Sequence, residues 1–278
     1  MERLIRTSVL SAFVVVFGGF ASCSSVNTGG DGNGDNGEAA TAGGGTGTTE
    51  RSSDACTLTG KDPSQIGGSG DSCFSAPESS ADITVEVYES KSDFMSALEG
   101  CGQTITFEDV DVCTSDVVEI ELDRYVPSFG LRIGSNKTPW VDTDFGFSDD
   151  YKPVSGERMI AAGNPQNESS DASKINLTFP GVGNDDRVAG VGGYFIDADF
   201  PSYQQSSFSV ADGRGNTLKS KDVTTESGKA KFVGMVAVDG SGNPVAAIGE
   251  ATLVLGSGWP GSGSNEGVTA DDVVVSTK

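Results

Sequence analysis

The stretch from Ile175 to Asp197, INLTFPGVGNDDRVAGVGGYFID, carries two strand patterns and the joint between them. Ile175, Leu177 and Phe179 alternate with Asn176 and Thr178, the period of a strand with one buried face. Pro180, Gly181 and the Gly183 to Asp186 segment break the pattern with turn residues, and Val188 to Ile196 resumes it as a further apolar run.

Working outward, the same period recurs. Ile83, Val85 and Val87 share one face, as do Ile105 with Phe107, Val118 with Ile120 and Leu122, and Phe232, Gly234, Val236 and Val238. Ser207 to Val210, Val245 to Leu255 and Val273 to Ser276 add further runs, bringing the expectation to roughly ten half-buried strands. Turn clusters such as ADGRGN (211–216) and DGSGNP (239–244) separate them. Only Ser92 to Leu98 reads as a helix, with a serine to cap it and Gly100 beyond its end. Many strands, turn-rich joints and one short helix near the start predict an all-β domain over residues 82–278, an antiparallel β-sandwich of the jelly-roll kind.

Several of these pieces, in order, resemble the secreted jelly-roll domains of PEP-CTERM-type exported proteins and galactose-binding-like modules. They are SDFMSAL (92–98), QTITFEDV (103–110), the 175–197 stretch, FSVADGRGNTL (208–218), KFVGMVAV (231–238) and ADDVVVS (270–276). The resemblance implies a structural calcium ion held by an early-strand Glu and an Asp at the start of the last strand, here Glu108 with Asp271 or Asp272. Carboxylates brought together at strand ends repel unless a hard cation takes them as ligands. The alternative is three solvated side chains at turns.

The N-terminus has its own pattern. Arg3 and Arg6 precede the apolar segment Ser8 to Phe20, which is too short and too glycine-rich at its end to span a bilayer and reads as a signal peptide, residues 1–22. Phe20, Ala21, Ser22 and Cys23 then resemble the lipobox of bacterial lipoproteins, with Phe20 in the place of the usual Leu. The resemblance implies lipidation of Cys23, with acyl chains contributing about 0.8 kcal/mol per buried CH₂. Ser24 after the cysteine resembles the pattern of lipoproteins destined for an outer membrane. Residues 23–80 then form the lipidated N-terminus and a Gly-, Ser- and Thr-rich low-complexity linker, with an r.m.s. span of about 40 Å. Its Asp31 to Gly37 segment fails as a calcium loop, since Asn36 stands where glycine is required and Ala42 where a bidentate Glu is required.

Composition excludes several functions. The chain carries 40 Asp and Glu against 18 Lys and Arg, a formal charge of −22, which speaks against nucleic acid as a partner. It has no histidine, which removes His-based triads and His-containing zinc sites. With Cys23 set aside, Cys56, Cys73, Cys101 and Cys113 are an even set in an exported chain and imply two disulfide bonds. Three connectivities are open; pairing neighbours closes the shortest loops, provided the chain between Cys101 and Cys113 bends back.

A second acidic group, Asp142, Asp144, Asp149 and Asp150 in VDTDFGFSDDY, offers D-x-D-x-G spacing, so Asp142 and Asp144 are a second candidate for calcium, against a solvated loop. Sugar rings stack on exposed aromatic faces, which makes Trp259 in its glycine-rich loop and Trp140 beside the acidic group the candidate ligand contacts. For Trp140 the alternative is packing over the sandwich edge. The expectation is a lipid-anchored surface lipoprotein on the outer membrane or cell surface, with a non-catalytic, carbohydrate-binding, calcium-stabilised module. The alternatives are a structural or adhesive envelope protein with a protein partner and, further off, a carboxylate-based hydrolase.

Overall fold

A strand such as Gly190 to Ile196, with a neighbour on each side, cannot be buried with its backbone N–H and C=O groups unpaired. In the computed structural model they are paired antiparallel throughout. The structure describes residues 73–78, 82–110, 112, 117–143, 145, 152–163, 171–180, 182–199, 205–256 and 267–277. The signal segment and almost all of the linker lie outside these, as do Cys23, Cys56, Cys113, Asp144, Asp149, Asp150 and Trp259.

The strands are β1 (Thr84–Tyr88), β2 (Gln103–Ile105), β3 (Val118–Glu119), β4 (Arg132–Ser135), β5 (Thr138–Asp142), β6 (Met159–Gly163), β7 (Lys174–Thr178), β8 (Gly190–Ile196), β9 (Ser206–Ala211), β10 (Thr217–Val223), β11 (Ala230–Val238), β12 (Glu250–Val254) and β13 (Thr269–Val275). They form two sheets. The larger runs β1-β11-β8-β13-β6-β5-β3, with β2 also paired to β13; the smaller runs β10-β9-β12-β7-β4. From β6 onward the chain changes sheet at every step except the β9-β10 hairpin, so the fold is a jelly-roll sandwich. Ile133, Ile175, Leu177, Phe208, Val210 and Leu253 of the smaller sheet meet Val191, Phe195, Val233, Met235, Val273 and Val275 of the larger in one core.

The helix α1 (Lys91–Ala97) begins one residue earlier than the sequence predicts, because Ser90 caps it: its Oγ accepts from the Asp93 N–H at 3.3 Å. Phe94 and Leu98, one turn apart, are fully buried against Phe232, Val236, Val238 and Val274 on the outer face of the larger sheet. Each such burial contributes about 1.5–3 kcal/mol. The one-turn helices α2 (Val126–Phe129) and α3 (Gly183–Asp186) are additions to the single helix expected.

Because α1 covers that face, the strands are not all half-buried. Every residue of β13 is buried, and in β11 the set Phe232, Gly234, Val236 and Val238 faces the helix while Val233, Met235 and Ala237 face the inter-sheet core. The run Val118, Ile120 and Leu122 is a strand only at its start; the chain turns after Ile120, and Leu122 is exposed. Phe107 lies past β2 at φ +61°.

A disulfide joins Cys73 to Cys101, with Cα atoms 6.1 Å apart, in place of the neighbour pairing that closes the shortest loops. The reason is packing: the segment before β1 runs beside Ala246, whose N–H donates to the Ser75 carbonyl, and α1 returns the chain to it at Cys101. Closing a loop of this length stabilises the fold by roughly 3–4 kcal/mol in the chain-entropy account. Among the described residues no helix is long and apolar enough to cross a membrane.

Glycines let α1 lie close. A Cβ on Gly234 would stand 2.4 Å from Cδ2 of Phe94, and one on Gly190 would stand 2.7 Å from Cδ2 of Leu98. Gly234→Ala is therefore expected to lower stability by about 1–3 kcal/mol through overpacking, read as a shift in denaturation midpoint. Gly240→Ala, where a Cβ meets nothing within 4 Å, is the neutral control.

Candidate functional site

Strand alternation would point Asp271 and Asp272 to opposite faces of β13. A bulge between Asp271 and Val274, with Asp272 at φ +48°, cancels that alternation. Both carboxylates then reach one turn, residues 154–157. Asp271 Oδ2 accepts from the N–H groups of Val154 at 2.7 Å and Ser155 at 3.1 Å, and Oδ1 accepts from the Asp272 N–H at 2.6 Å. Asp272 Oδ1 accepts from Ser155 Oγ at 2.5 Å, and Lys91 Nζ donates to Oδ2 at 2.6 Å.

Glu108 arrives from the other side. Its Oε1 accepts from the Glu157 N–H at 2.7 Å and lies over Gly156, where a Cβ would stand 2.3 Å from that oxygen. The three acidic residues singled out in the sequence thus converge on the same turn. What the sequence did not show is the set of donors: the turn's backbone N–H groups, Ser155 and Lys91. The Pro153-Val-Ser-Gly156 turn pattern was the available signal.

This geometry bears on the metal. Both oxygens of Asp271 and of Asp272 already accept from protein donors, one of them a full ammonium charge. Among the described residues no group of three or more His, Cys, Asp or Glu side chains is disposed to hold an ion. The residues as arranged do not fit a calcium ion.

Burial, helped by the nearby Asp272 charge and opposed by the three N–H donors, pushes the Asp271 carboxyl up to about 7. Asp109, the residue after Glu108, is buried, with Oδ2 accepting from Arg124 Nε at 2.7 Å and Oδ1 from the Tyr125 hydroxyl at 2.7 Å. Burial first, then the Asp109 charge, raises the Tyr125 hydroxyl far above its ordinary value and keeps it a donor.

The second acidic candidate divides. Asp142 is buried and its Oδ1 accepts from the Thr143 N–H at 2.6 Å; Asp144 lies outside the described residues. Trp140, half-buried, packs against the cluster of Phe145, Met159, Ala161 and Ile196, and its Nε1 donates to the Gly163 carbonyl at 3.0 Å.

The open face of the smaller sheet has a different character. Register places Gly134, Asn176, Thr252, Ser209 and Ser220 in one row across its five strands, alternating with core-facing residues along each strand. Thr252 Oγ1 and Asn176 Oδ1 are 3.1 Å apart. Flanking rows add Thr178, Ala211, Ser207 and Val254, with Arg132, Lys174, Glu250 and Asp222 as the charged members. In a chain with 58 charged residues, the middle row has none.

No family model and no curated protein matches the chain. Among solved structures it is similar to the K2 cleaved adhesin domain of Lys-gingipain, at TM-score 0.38 and 11% identity over 63% of this chain and 98% of that one. It is also similar to the K1 adhesin domain from Porphyromonas gingivalis W83, at 0.34 and 11% over 64% and 98%. A family 6 carbohydrate-binding module follows at 0.28 and 13%, over 58% and 93%. Likeness at this level extends to neither ligand nor activity.

The raised pKa of Asp271 implies a pH response. A carboxyl moved from 3.8 to about 7 on folding contributes stability that is complete below about 3.8 and is lost as pH rises through about 7. The melting midpoint is expected to fall between about pH 5 and pH 8, and to fall less in Asp271→Asn; the full shift corresponds to at most about 4 kcal/mol. Equal slopes would refute the assignment. Calcium or EDTA should leave the native midpoint unmoved while Lys91 holds Asp272, and a rise with calcium would show that the ion displaces the ammonium.

Proposed function

We propose that this protein is a lipid-anchored envelope protein whose β-sandwich is a non-catalytic module for neutral glycans, with the open face of the smaller sheet as its contact surface. The observation that carries the reading is the uncharged row Gly134, Asn176, Thr252, Ser209 and Ser220, in a chain of net charge −22. Amides and hydroxyls both donate and accept, as sugar hydroxyls do, and short side chains lose little rotamer freedom on binding. Glycine and serine at that row keep the surface low enough for a sugar chain to lie across the strands. Contacts of this kind are shallow and hydrogen-bonded.

The anchor completes the reading. Cys23 would carry the acyl chains, and the linker would hold the sandwich off the outer membrane or cell surface with freedom to search. Mass spectrometry of the mature N-terminus is expected to find an acylated Cys23 as the first residue; an unmodified residue upstream of it would refute the anchor.

The glycan reading is tested by affinity electrophoresis in gels containing neutral polysaccharides. Native protein should be retarded, and Asn176→Ala with Thr252→Val should weaken retardation about tenfold, the loss of two hydrogen bonds at about 0.5–1.5 kcal/mol each. Its melting midpoint should stay near the native value, since both positions face outward. No retardation of native protein across the panel, with capture of an envelope protein instead, would overturn the reading in favour of an adhesive role.

A further inference from the structure

The sandwich has a second surface whose charge runs against that of the whole chain. The strand β11 outruns its edge neighbour: β1 pairs with it from Gly234 onward, while Ala230 to Val233 pair with β8 alone. Lys231 stands in that uncovered part, opposite Phe195, on the core-facing side where the core opens to solvent. Across the gap lies β10, the edge of the other sheet. Its Lys221 pairs opposite Phe208 and its Lys219 opposite Val210, so both are on the core-facing side of an edge strand with nothing beyond it.

The two sides meet at one carboxylate. Lys221 Nζ lies 2.9 Å and Lys231 Nζ 3.2 Å from the same oxygen, Glu89 Oε1. Hydrogen bonds from these two lysines hold the Glu89 carboxyl below its ordinary range. Lys219 and Lys229, each two residues from a member of the pair, are exposed. Four lysines therefore lie along this edge, with the Glu89 carboxylate between Lys221 and Lys231 and that of Asp197 beside the Lys229 turn. The other acidic residues close by are engaged or turned elsewhere: Asp222 belongs to the outer face of β10, Asp197 Oδ1 accepts from the Gly228 N–H at 2.6 Å, and Glu226 lies in the preceding turn, its carbonyl accepting from the Lys229 N–H.

Two ammonium groups held on one oxygen repel each other and leave most of their donors unused. A ligand with closely repeated anionic oxygens would satisfy them. The net charge of −22 does not prevent this, because at physiological salt charges beyond about 8 Å are largely screened and the local excess decides. A linear polymer also suits an edge that runs along a strand better than it suits a point site.

We propose that the rim formed by Lys219, Lys221, Lys229 and Lys231 binds acidic polysaccharide, glycan chains bearing carboxylate or sulfate groups. This surface is distinct from the neutral-glycan face and does not depend on it: Ser220 and Asp222 belong to that face, while Lys219 and Lys221 emerge from the opposite side of the same strand.

Full-length protein is tested against immobilised heparin and polygalacturonate, with dextran as the neutral control. Native protein should bind one or both acidic polymers, with affinity falling steeply as salt is raised. Lys219→Gln, Lys221→Gln and Lys231→Gln combined should weaken binding about tenfold, from partly exposed pairs worth up to about 1 kcal/mol each. Glu89→Gln should tighten it at least about twofold, because it frees both lysines and removes the negative charge between them; a purely structural lysine-glutamate bridge would give no gain. The Asn176→Ala, Thr252→Val variant should bind the acidic polymers as the native protein does, so failure here and failure of the neutral-glycan reading are separable. Absence of binding to both acidic polymers, or unchanged binding in the triple variant, would overturn the proposal. Equal binding to vesicles of anionic phospholipid would overturn it as well, by showing that charge alone is recognised.

Discussion

The outer face of the larger sheet cannot be left to solvent, and most of the structure follows from how it is covered. The strands β8, β11 and β13 are buried on both sides, so one side must meet the opposite sheet and the other must meet something else. That covering is assembled from three pieces: α1 over Phe232 and Val236, the 154–157 turn over Asp271 and Asp272, and Trp140 with Phe145 over Met159 and Ala161. Each piece imposes a local demand. The helix needs glycines beneath it, the tryptophan needs an acceptor for its indole N–H, and the turn needs carboxylates for its unpaired N–H groups.

Seen this way, the acidic junction is a structural solution that resembles a ligand site. Two adjacent carboxylates are buried at the middle layer of the domain, where an unpaired charge would be costly. The bulge at Asp272 brings both to the same turn, and Lys91, at the first residue of α1, supplies the positive charge. The helix is thereby tied to the last strand at its start by an ion pair and along its length by Phe94 and Leu98. The positive φ values of Phe107 and Asp272 flank the same junction. For Asp272 this conformation is tolerable, whereas for Phe107 it costs of order 1–2 kcal/mol. The burial of its ring against Tyr125 offsets the strain and turns Glu108 toward Gly156.

The sandwich class was legible because polar and apolar residues trade places along β1, along β7 and from Ser207 to Val210 in β9. Where both faces are buried the pattern loses its meaning. The sequence FVGMVAV in β11 contains two apolar sets, and alternation alone cannot say which meets the other sheet. The strands β4, β5 and β6 went unread for related reasons; RIGS is short and half glycine or serine, TPWVD contains a proline, and MIAAG is uniformly apolar. The convergence of Glu108 with Asp271 and Asp272 was legible through resemblance. Lys91 was not, because a lysine 181 positions away in sequence carries no local sign of its partner. The pairing of Cys73 with Cys101 was not legible among the three open connectivities, since loop length ranks closure entropy and says nothing about where α1 returns the chain.

The distribution of charge separates the surfaces that cover from the surfaces that are open. Where the larger sheet is covered, acidic residues are buried and individually answered by N–H, O–H or ammonium donors. Where the smaller sheet is open, its central row has no charge at all, although solubility would be served as well or better by Glu and Lys at those outward positions. At the β10 edge the sign reverses. Lysines on an edge strand discourage pairing with another chain, which accounts for Lys219 and Lys221 on β10. It does not account for Lys231, which belongs to the other sheet and shares Glu89 Oε1 with Lys221. A device that only protects an edge has no need of a cation from across the sandwich, and that convergence from two sheets onto one oxygen is what marks the rim as more than edge protection.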